Sequence, residues 1–394
     1  MPRPVILTLL PHYLPGYKAG GPIRTVSNMV DLLADRFDFR IVTSDRDYGD
    51  AAPYPGIAPN TWIETGREAR YYADARHRGL GTLAARVAEV GPDVVYLNSL
   101  FDPRFSIAPL VDRLLGRIPG DPAWVIAPRG ECSAGAMALK AAKKRTFLRL
   151  AACVGLHRRL TWQASSAHEA EDIRRELGVA GDSIVVAPNP TETAGPFVPP
   201  TSLDTEATPL EICFLSRISP KKNLAFALET LAQVRSPVRF HVFGPVEDER
   251  YAAECRAIEA RCPPHVRVEW HGDVAHRNVR PTISRHHLFY FPTSGENFGH
   301  VIFEAVSAGV PVLVSDRTPW RDLDDRGIGW VRSLDDPRPF AEVIDAFAGT
   351  PRDDRERIAR SAHAYARSIA ESQAVLDSNC GLFERAIGTN ARRA

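Results

Sequence analysis

The sequence predicts an α/β protein of two doubly wound, Rossmann-like domains facing each other across a cleft. Three observations lead there. Apolar runs of strand length alternate with amphipathic stretches of helix length along the whole chain. The alternation stops once, over a proline-rich stretch, and then restarts. A chain of 394 residues also exceeds what one ordinary core accommodates.

In chain order, the first half should place strands at Val5–Leu10, Phe39–Thr43, Val94–Asn98, Trp124–Ala127, Thr161–Ala164 and Ile184–Ala187. Helical patterns fall between them, at Ile23–Ala34, Leu83–Val90 and His168–Leu177. These strands read as continuous Val, Ile and Leu rather than alternating with polar residues. That is the mark of a parallel sheet covered on both faces. The stretch Asn189–Pro209 holds Pro190, Pro196, Pro199, Pro200 and Pro209 among Thr, Ser, Glu and Asp, without periodicity, and reads as a linker. Strands resume at Glu211–Leu215, Val238–Phe243, Val266–Trp270, Leu288–Phe291 and Pro311–Val314. Helices are expected at Asn223–Val234, Arg250–Arg261, Phe298–Ala308 and Pro339–Phe347, with a long last stretch, Asp353–Ile387, that breaks near Ala370. The expected domains are therefore 1–190, a linker over 191–209, 210–370, and a final helix over 371–394 packing back toward the first domain.

Lys and Arg number 49 against 48 Asp and Glu, which argues against a nucleic-acid binder. Met1–Pro190 carries 24 basic against 20 acidic residues, leaving 25 against 28 in the remainder, so the first half leans basic. Six scattered cysteines form no C-x-x-C pair and read as core thiols of a reducing cytosol. Val5–Leu10 is too short for a signal segment or a membrane span. The expected location is cytoplasmic.

The densest chemical signal runs from Pro292 to Val312, PTSGENFGHVIFEAVSAGVPV. A strand ends at Phe291, a polar turn follows, and a helix begins near Phe298. The first amides of that helix, around Gly299, His300 and Val301, have no acceptor within it, and with the helix dipole they suit a phosphate. Glu304 lies one turn deeper on the face of His300 and Val301, and helical side chains lean toward the N-terminus. An ionised carboxylate on so apolar a helix requires hydrogen-bond donors, and a ribose diol supplies two. Glu296, in the loop before the helix, is placed for the hydroxyls of a sugar attached to the phosphate.

A second signal is FLSRISPKKNL, residues 214–224, where Arg217 and Lys222 sit five apart between a strand and a helix. Two cations there would neutralise a diphosphate leaving group. A third is the pair Gly20-Gly21 after the first strand, with Pro22 at a favourable first-turn position; a plain turn is its equal rival. The full G-x-G-x-x-G of nicotinamide dehydrogenases is absent. No D-x-D triplet sits at a strand end in a way that suggests a metal-diphosphate bridge, Asp322 and Asp324 lying beyond the motif near a probable turn, so no metal is expected.

Residues 216–224 and 294–314 resemble the retaining family-four (group 1) glycosyltransferases of the GT-B fold. Glu296 and Glu304 match that family's two glutamates eight positions apart, and Gly309-Val310-Pro311 its following tripeptide. Arg217 and Lys222 match its diphosphate pair, Gly20 and Gly21 its glycine loop, and Pro188-Asn189 the end of its first domain. The resemblance implies a retaining, metal-independent hexosyltransferase that needs no cofactor and takes a UDP- or GDP-sugar as co-substrate. Its catalytic residues would be Glu296, Arg217 and Lys222. Glu304, Asn297, Phe298, Gly299, His300, Val301, Gly20 and Gly21 would bind the donor. The first domain would be the acceptor side, for a saccharide or lipid-linked saccharide in surface polysaccharide or glycoconjugate assembly. Where many relatives carry a histidine, this chain has Arg129; Arg129, Glu131 or neither serves the acceptor. Alternatives are another GT-B enzyme, such as a nucleotide-sugar epimerase, and a non-catalytic nucleotide-sugar-binding protein.

Leu139–Trp162 holds Lys140, Lys143, Lys144, Arg145, Arg149, Arg158 and Arg159 and no acidic residue, with Phe147, Leu148, Leu150, Val154 and Leu156 interleaved. The pattern reads equally as a solvated helix face or as a surface lying on the anionic inner face of the cytoplasmic membrane.

Overall fold

The computed structural model describes residues 2–138, 140–204 and 209–392. The chain forms two compact units, Met1–Pro190 with Ser372–Ala394 and Thr191–Glu371.

The first unit is built on β1 (Val5–Leu9), β2 (Asp38–Ser44), β3 (Trp62–Glu64), β4 (Glu68–Ala73), β5 (Val94–Leu97), β6 (Ala123–Ile126), β7 (Thr161–Ala164) and β8 (Ile184–Val186). They form one sheet in the order β3-β4-β2-β1-β5-β6-β7-β8, parallel except for β3 against β4. Central β1 sets Ile6 beside Phe39 of β2 and Val94 of β5, with all three residues buried. The helices are α1 (Gly21–Leu33), α2 (Thr82–Val90), α3 (Ala108–Leu114), α4 (Ala134–Ala138), α5 (Ala141–Cys153) and α6 (Ala167–Leu177). α6 starts on Ser166, whose hydroxyl accepts the Glu169 amide. Strands β3 and β4 escape the sequence pattern because β4 carries charge into the interior. Glu68 is buried against the Tyr13 hydroxyl at 2.8 Å and Arg70 at 2.6 Å.

The second unit comprises β9 (Leu210–Leu215), α7 (Leu224–Leu231), β10 (Val238–Phe243), α8 (Glu249–Glu259), β11 (Val266–Gly272), α9 (Val279–Ile283), β12 (Leu288–Phe291), α10 (His300–Ser307), β13 (Val312–Ser315), β14 (Gly329–Arg332), α11 (Arg338–Ala348) and α12 (Arg352–Ala370). Its sheet is wholly parallel, in the order β11-β10-β9-β12-β13-β14. Neither α9 nor β14 shows in the sequence pattern, α9 being five residues long and β14 holding only Trp330 and Val331 between Gly329 and Arg332. The proline-rich stretch belongs to the second unit from Thr191 onward. Ala194, Pro200 and Leu203 are buried, and the Ser202 amide donates to the Ser284 carbonyl at 3.1 Å. Its residues 205–208 lie outside the described residues.

The last helix, α13 (Gln373–Ala391), belongs to the first unit. Phe383 packs edge-on against Phe37 and Tyr96, each 5.4 Å between ring centres, and the Asn379 amide donates to the Pro188 carbonyl.

Candidate active site

In the second sheet, β9 and β12 are neighbours, with Leu288 beside Ile212 and Phe289 beside Cys213. From β9 the chain winds outward to β10 and β11; from β12 it winds the other way, to β13 and β14. The switch point therefore falls between β9 and β12, where loops leaving the carboxyl ends of parallel strands build ligand sites. Those two loops are residues 216–223 and 292–299, the segments singled out in the sequence.

They are tied together by main-chain and side-chain bonds. The Ser294 amide donates to the Lys221 carbonyl at 2.9 Å, and the Asn223 side-chain amide to the Pro292 carbonyl at 3.0 Å. Across this joint, Lys222 Nζ lies 2.5 Å from Glu296 Oε1, each side chain 13% exposed. Thr293 donates to the same oxygen at 3.0 Å, and Lys222 sits 5.4 Å over the Phe291 ring. Burial pushes the Glu296 carboxyl up, but the charges of Lys222 and Lys221 and the Lys222 and Thr293 hydrogen bonds outweigh it and hold the group below its ordinary value. Glu296 is thus kept ionised.

Gly299 caps α10 at φ 80°, and a β-carbon there would lie 2.8 Å from Ile302 Cδ1. The first bonds inside the helix run from the Ile302 and Phe303 amides to the Gly299 carbonyl, so the amides of His300 and Val301 precede them. Trp320 braces this start. Its indole N–H donates to the Phe298 carbonyl at 2.6 Å, and its ring lies 5.7 Å from that of Phe298. Glu304 meets His276 Nε2 at 3.0 Å, and that nitrogen also lies 3.4 Å from Glu192. Arg217 is held by Glu247 at 2.9 Å. Beside it the chain passes so closely that a β-carbon on Gly244 would stand 1.9 Å from the Ser216 carbonyl oxygen.

The structure therefore joins Lys222 to Glu296 directly and sets Asn297, Phe298, Gly299, His300 and Val301 at the head of the helix that carries Glu304. It adds His276, Glu192, Glu247, Thr293 and Trp320, which the sequence analysis missed. No spacing signal marks His276, Glu192, Glu247 and Trp320, because each comes from a different loop or helix start, while Thr293 lies inside the Pro292–Val312 run.

In the first unit Gly20, at φ 74°, caps α1, and Gly21 is its first residue. The loop before it leans on Asp47, which accepts the Tyr17 and Lys18 amides at 2.8 and 3.1 Å. Arg129 takes φ 55° and spends its guanidinium on Asn98, Asn189 and the Tyr96 hydroxyl at 2.5–3.2 Å. Glu131 accepts from the Ser99 hydroxyl and from the Leu100 and Phe101 amides, capping the turn after β5, while burial pushes its carboxyl upward. Both residues thus carry structural duties within this unit.

Residues 209–348 match the family described as glycosyl transferases group 1. The match falls within the second unit, which is similar to a group 1 glycosyltransferase domain. Lys222, Glu296 and Glu304 all lie inside that domain. A curated relative, the D-inositol 3-phosphate glycosyltransferase of Xylanimonas cellulosilytica, is 29% identical over 229 residues, which is 54% of each chain. The chain thus matches about half the length of that relative. Two solved structures resemble nearly the whole chain. Sucrose-phosphate synthase from Thermosynechococcus elongatus gives a TM-score of 0.72 at 16% identity, covering 98% of this chain and 100% of the other. Anabaena HepE, in complex with UDP and glucose, gives 0.70 at 18% identity, covering 97% and 99%. These likenesses show the fold to be GT-B. Among the described residues, no helix is long and apolar enough to cross a membrane.

Proposed function

We propose that the chain transfers a hexosyl group from a UDP- or GDP-sugar to a saccharide or lipid-linked saccharide, with retention at the anomeric carbon and without a metal ion. The observation that carries this reading is the Lys222–Glu296 pair fixed beside the start of α10 at the β9/β12 switch point. The HepE complex with UDP supports a nucleotide-linked donor.

In this reading the diphosphate lies on the His300 and Val301 amides, flanked by Arg217 and Lys222. Glu304, oriented by His276, holds the ribose, and Glu296 orients the sugar. The bond from the anomeric carbon to the phosphate oxygen breaks, and its electron pair leaves with the diphosphate. The acceptor hydroxyl attacks from the face being vacated and gives its proton to the departing oxygen. Fixed amides and cations stabilise the charge on that oxygen as it forms, without reorganising. Arg217 acts mainly at this step, so Arg217→Ala should lower turnover more than nucleotide affinity.

The acceptor side is assigned to the first unit, at the cytoplasmic face of the membrane, where α5 presents its basic surface. Release of nucleoside diphosphate is the direct assay. It should require acceptor and persist in EDTA below the unfolding temperature. Release without acceptor, or turnover lost in EDTA and restored by Mg²⁺, would contradict the proposal.

A further inference from the structure

On β9, β10 and β11 of the second sheet, among residues not assigned above to the donor, the side chains of Glu211 (β9), His241 (β10), and Glu269 and His271 (β11) meet. His241 Nδ1 and His271 Nε2 are 2.9 Å apart. Their rings lie within 22° of parallel with centres 5.1 Å apart. Nitrogens that close, with centres that far, mean the two rings meet edge to edge, one proton shared between them in an N–H···N hydrogen bond. Glu269 Oε2 faces both nitrogens, at 3.7 Å from His241 and 3.8 Å from His271.

We propose that His241 Nδ1, His271 Nε2 and Glu269 Oε2 bind a divalent transition-metal ion, Zn²⁺ being the best match, with water in the fourth position. Two imidazoles and one carboxylate form a ligand set suited to zinc. Around a tetrahedral ion with bonds of about 2.1 Å, ligand atoms stand about 3.4 Å apart. The three separations of 2.9, 3.7 and 3.8 Å bracket that value, and small rotations of the exposed Glu269 and His271 reach it.

The surroundings prepare the ligands. Glu211 Oε2 lies 2.6 Å from His241 Nε2, so the proton sits on Nε2 and the Nδ1 lone pair turns toward the site. Arg239 reaches Glu211 Oε1 at 2.8 Å and Glu269 Oε1 at 3.5 Å, leaving Oε2 of each carboxylate for the histidines. Buried His286, anchored by the Thr282 carbonyl at 2.9 Å, packs 4.6 Å from the His241 ring and fixes its orientation. Two carboxylates against one guanidinium leave a negative surround that favours a cation. An ion here would clamp the edge strand β11 to β10, closing the more exposed side of the sheet.

The test uses the full chain without a histidine tag, stripped with EDTA, dialysed and titrated with Co²⁺ as the visible probe. The expected result is saturation at a single equivalent with tetrahedral-type absorption, displacement by Zn²⁺, and a higher melting temperature with Zn²⁺. His271→Ala should lose the absorption while melting like the metal-free wild type. Glu211→Gln, which removes a supporting group and no ligand, should bind about tenfold or more weakly. No saturable binding, thiolate-type absorption, or binding unchanged in His271→Ala would overturn the site. None of these readouts involves nucleotide or sugar, so their failure leaves the transferase reading untouched.

Discussion

Lys222 and Glu296 form a nearly buried ion pair, and removing one partner strands the other charge. Lys222→Met should therefore destabilise the protein by about 3–5 kcal/mol, and the Lys222→Met/Glu296→Gln double variant should recover most of it. Urea unfolding of the four-member cycle measures this, and additive losses would show that the pair is not coupled. Because the folded Glu296 value is depressed, the pair's contribution is present above the ordinary carboxylate range and lost as pH falls through the folded value. His157 makes the opposite case, a titratable group whose shift comes from burial alone. Burial pushes it down to about 4, its Nε2 is buried without a hydrogen bond, and its ring lies between those of Phe147 and Trp162. Between its ordinary value of 6.5 and about 4 the unfolded chain binds a proton that the folded chain refuses, so stability falls as pH falls. That loss should be about 2 kcal/mol between pH 7.5 and 5, and His157→Phe should abolish it, as read from melting temperatures at the two pH values. Sequence alone gave no warning of His157, because a lone histidine carries no spacing signal, whereas Glu296 and Glu304 announced themselves by position before and within one helix.

Among the elements, α5 combines charge with unusual exposure. Ala151 is its only residue described as buried, while Leu150 at 62% and Val154, just past its end, at 56% face solvent. Lys143, Arg145, Arg149, Arg158 and Arg159 are exposed with them; Leu139, at the head of the stretch, lies outside the described residues. Lys144 turns inward instead, over the Phe101 ring and onto the Ala136 carbonyl. If this face meets anionic lipid, each cation near the surface adds about 1 kcal/mol. Vesicles containing phosphatidylserine should then pull the protein down at low salt, and Leu150→Ser/Val154→Ser should release it. Equal sedimentation with neutral and anionic vesicles would favour a soluble acceptor. The elements legible in the sequence were the long periodic ones. α1, α6, α8 and α12 begin within a residue or two of where the apolar period starts, β12 follows an unbroken apolar run, and β1 one broken only by Thr8. β4 was hidden by Glu68 and Arg70, which satisfy each other inside the protein, β14 holds only Trp330 and Val331 between Gly329 and Arg332, and α9 is too short to show a period.

For the molecule as a whole, the expectation of two doubly wound units came from repeated βα alternation. That signal survives individual misses because every parallel strand needs a covering crossover. Composition could not reveal which loops converge. The meeting of residues 216–223 with 292–299 depends on β9 and β12 being neighbours, a pairing between strands over seventy residues apart. The central claim is that this junction holds a nucleotide-sugar through Glu304 and the start of α10. Calorimetry of the wild type and Glu304→Ala, against a panel of UDP- and GDP-sugars and the free nucleotides, tests it most directly. One nucleotide series should bind the wild type, stabilising it by about 2.7 kcal/mol at a hundred times its dissociation constant, and Glu304→Ala should lose that binding while remaining folded. Wild-type affinity in Glu304→Ala, or no binding by any member of the panel, would contradict the account.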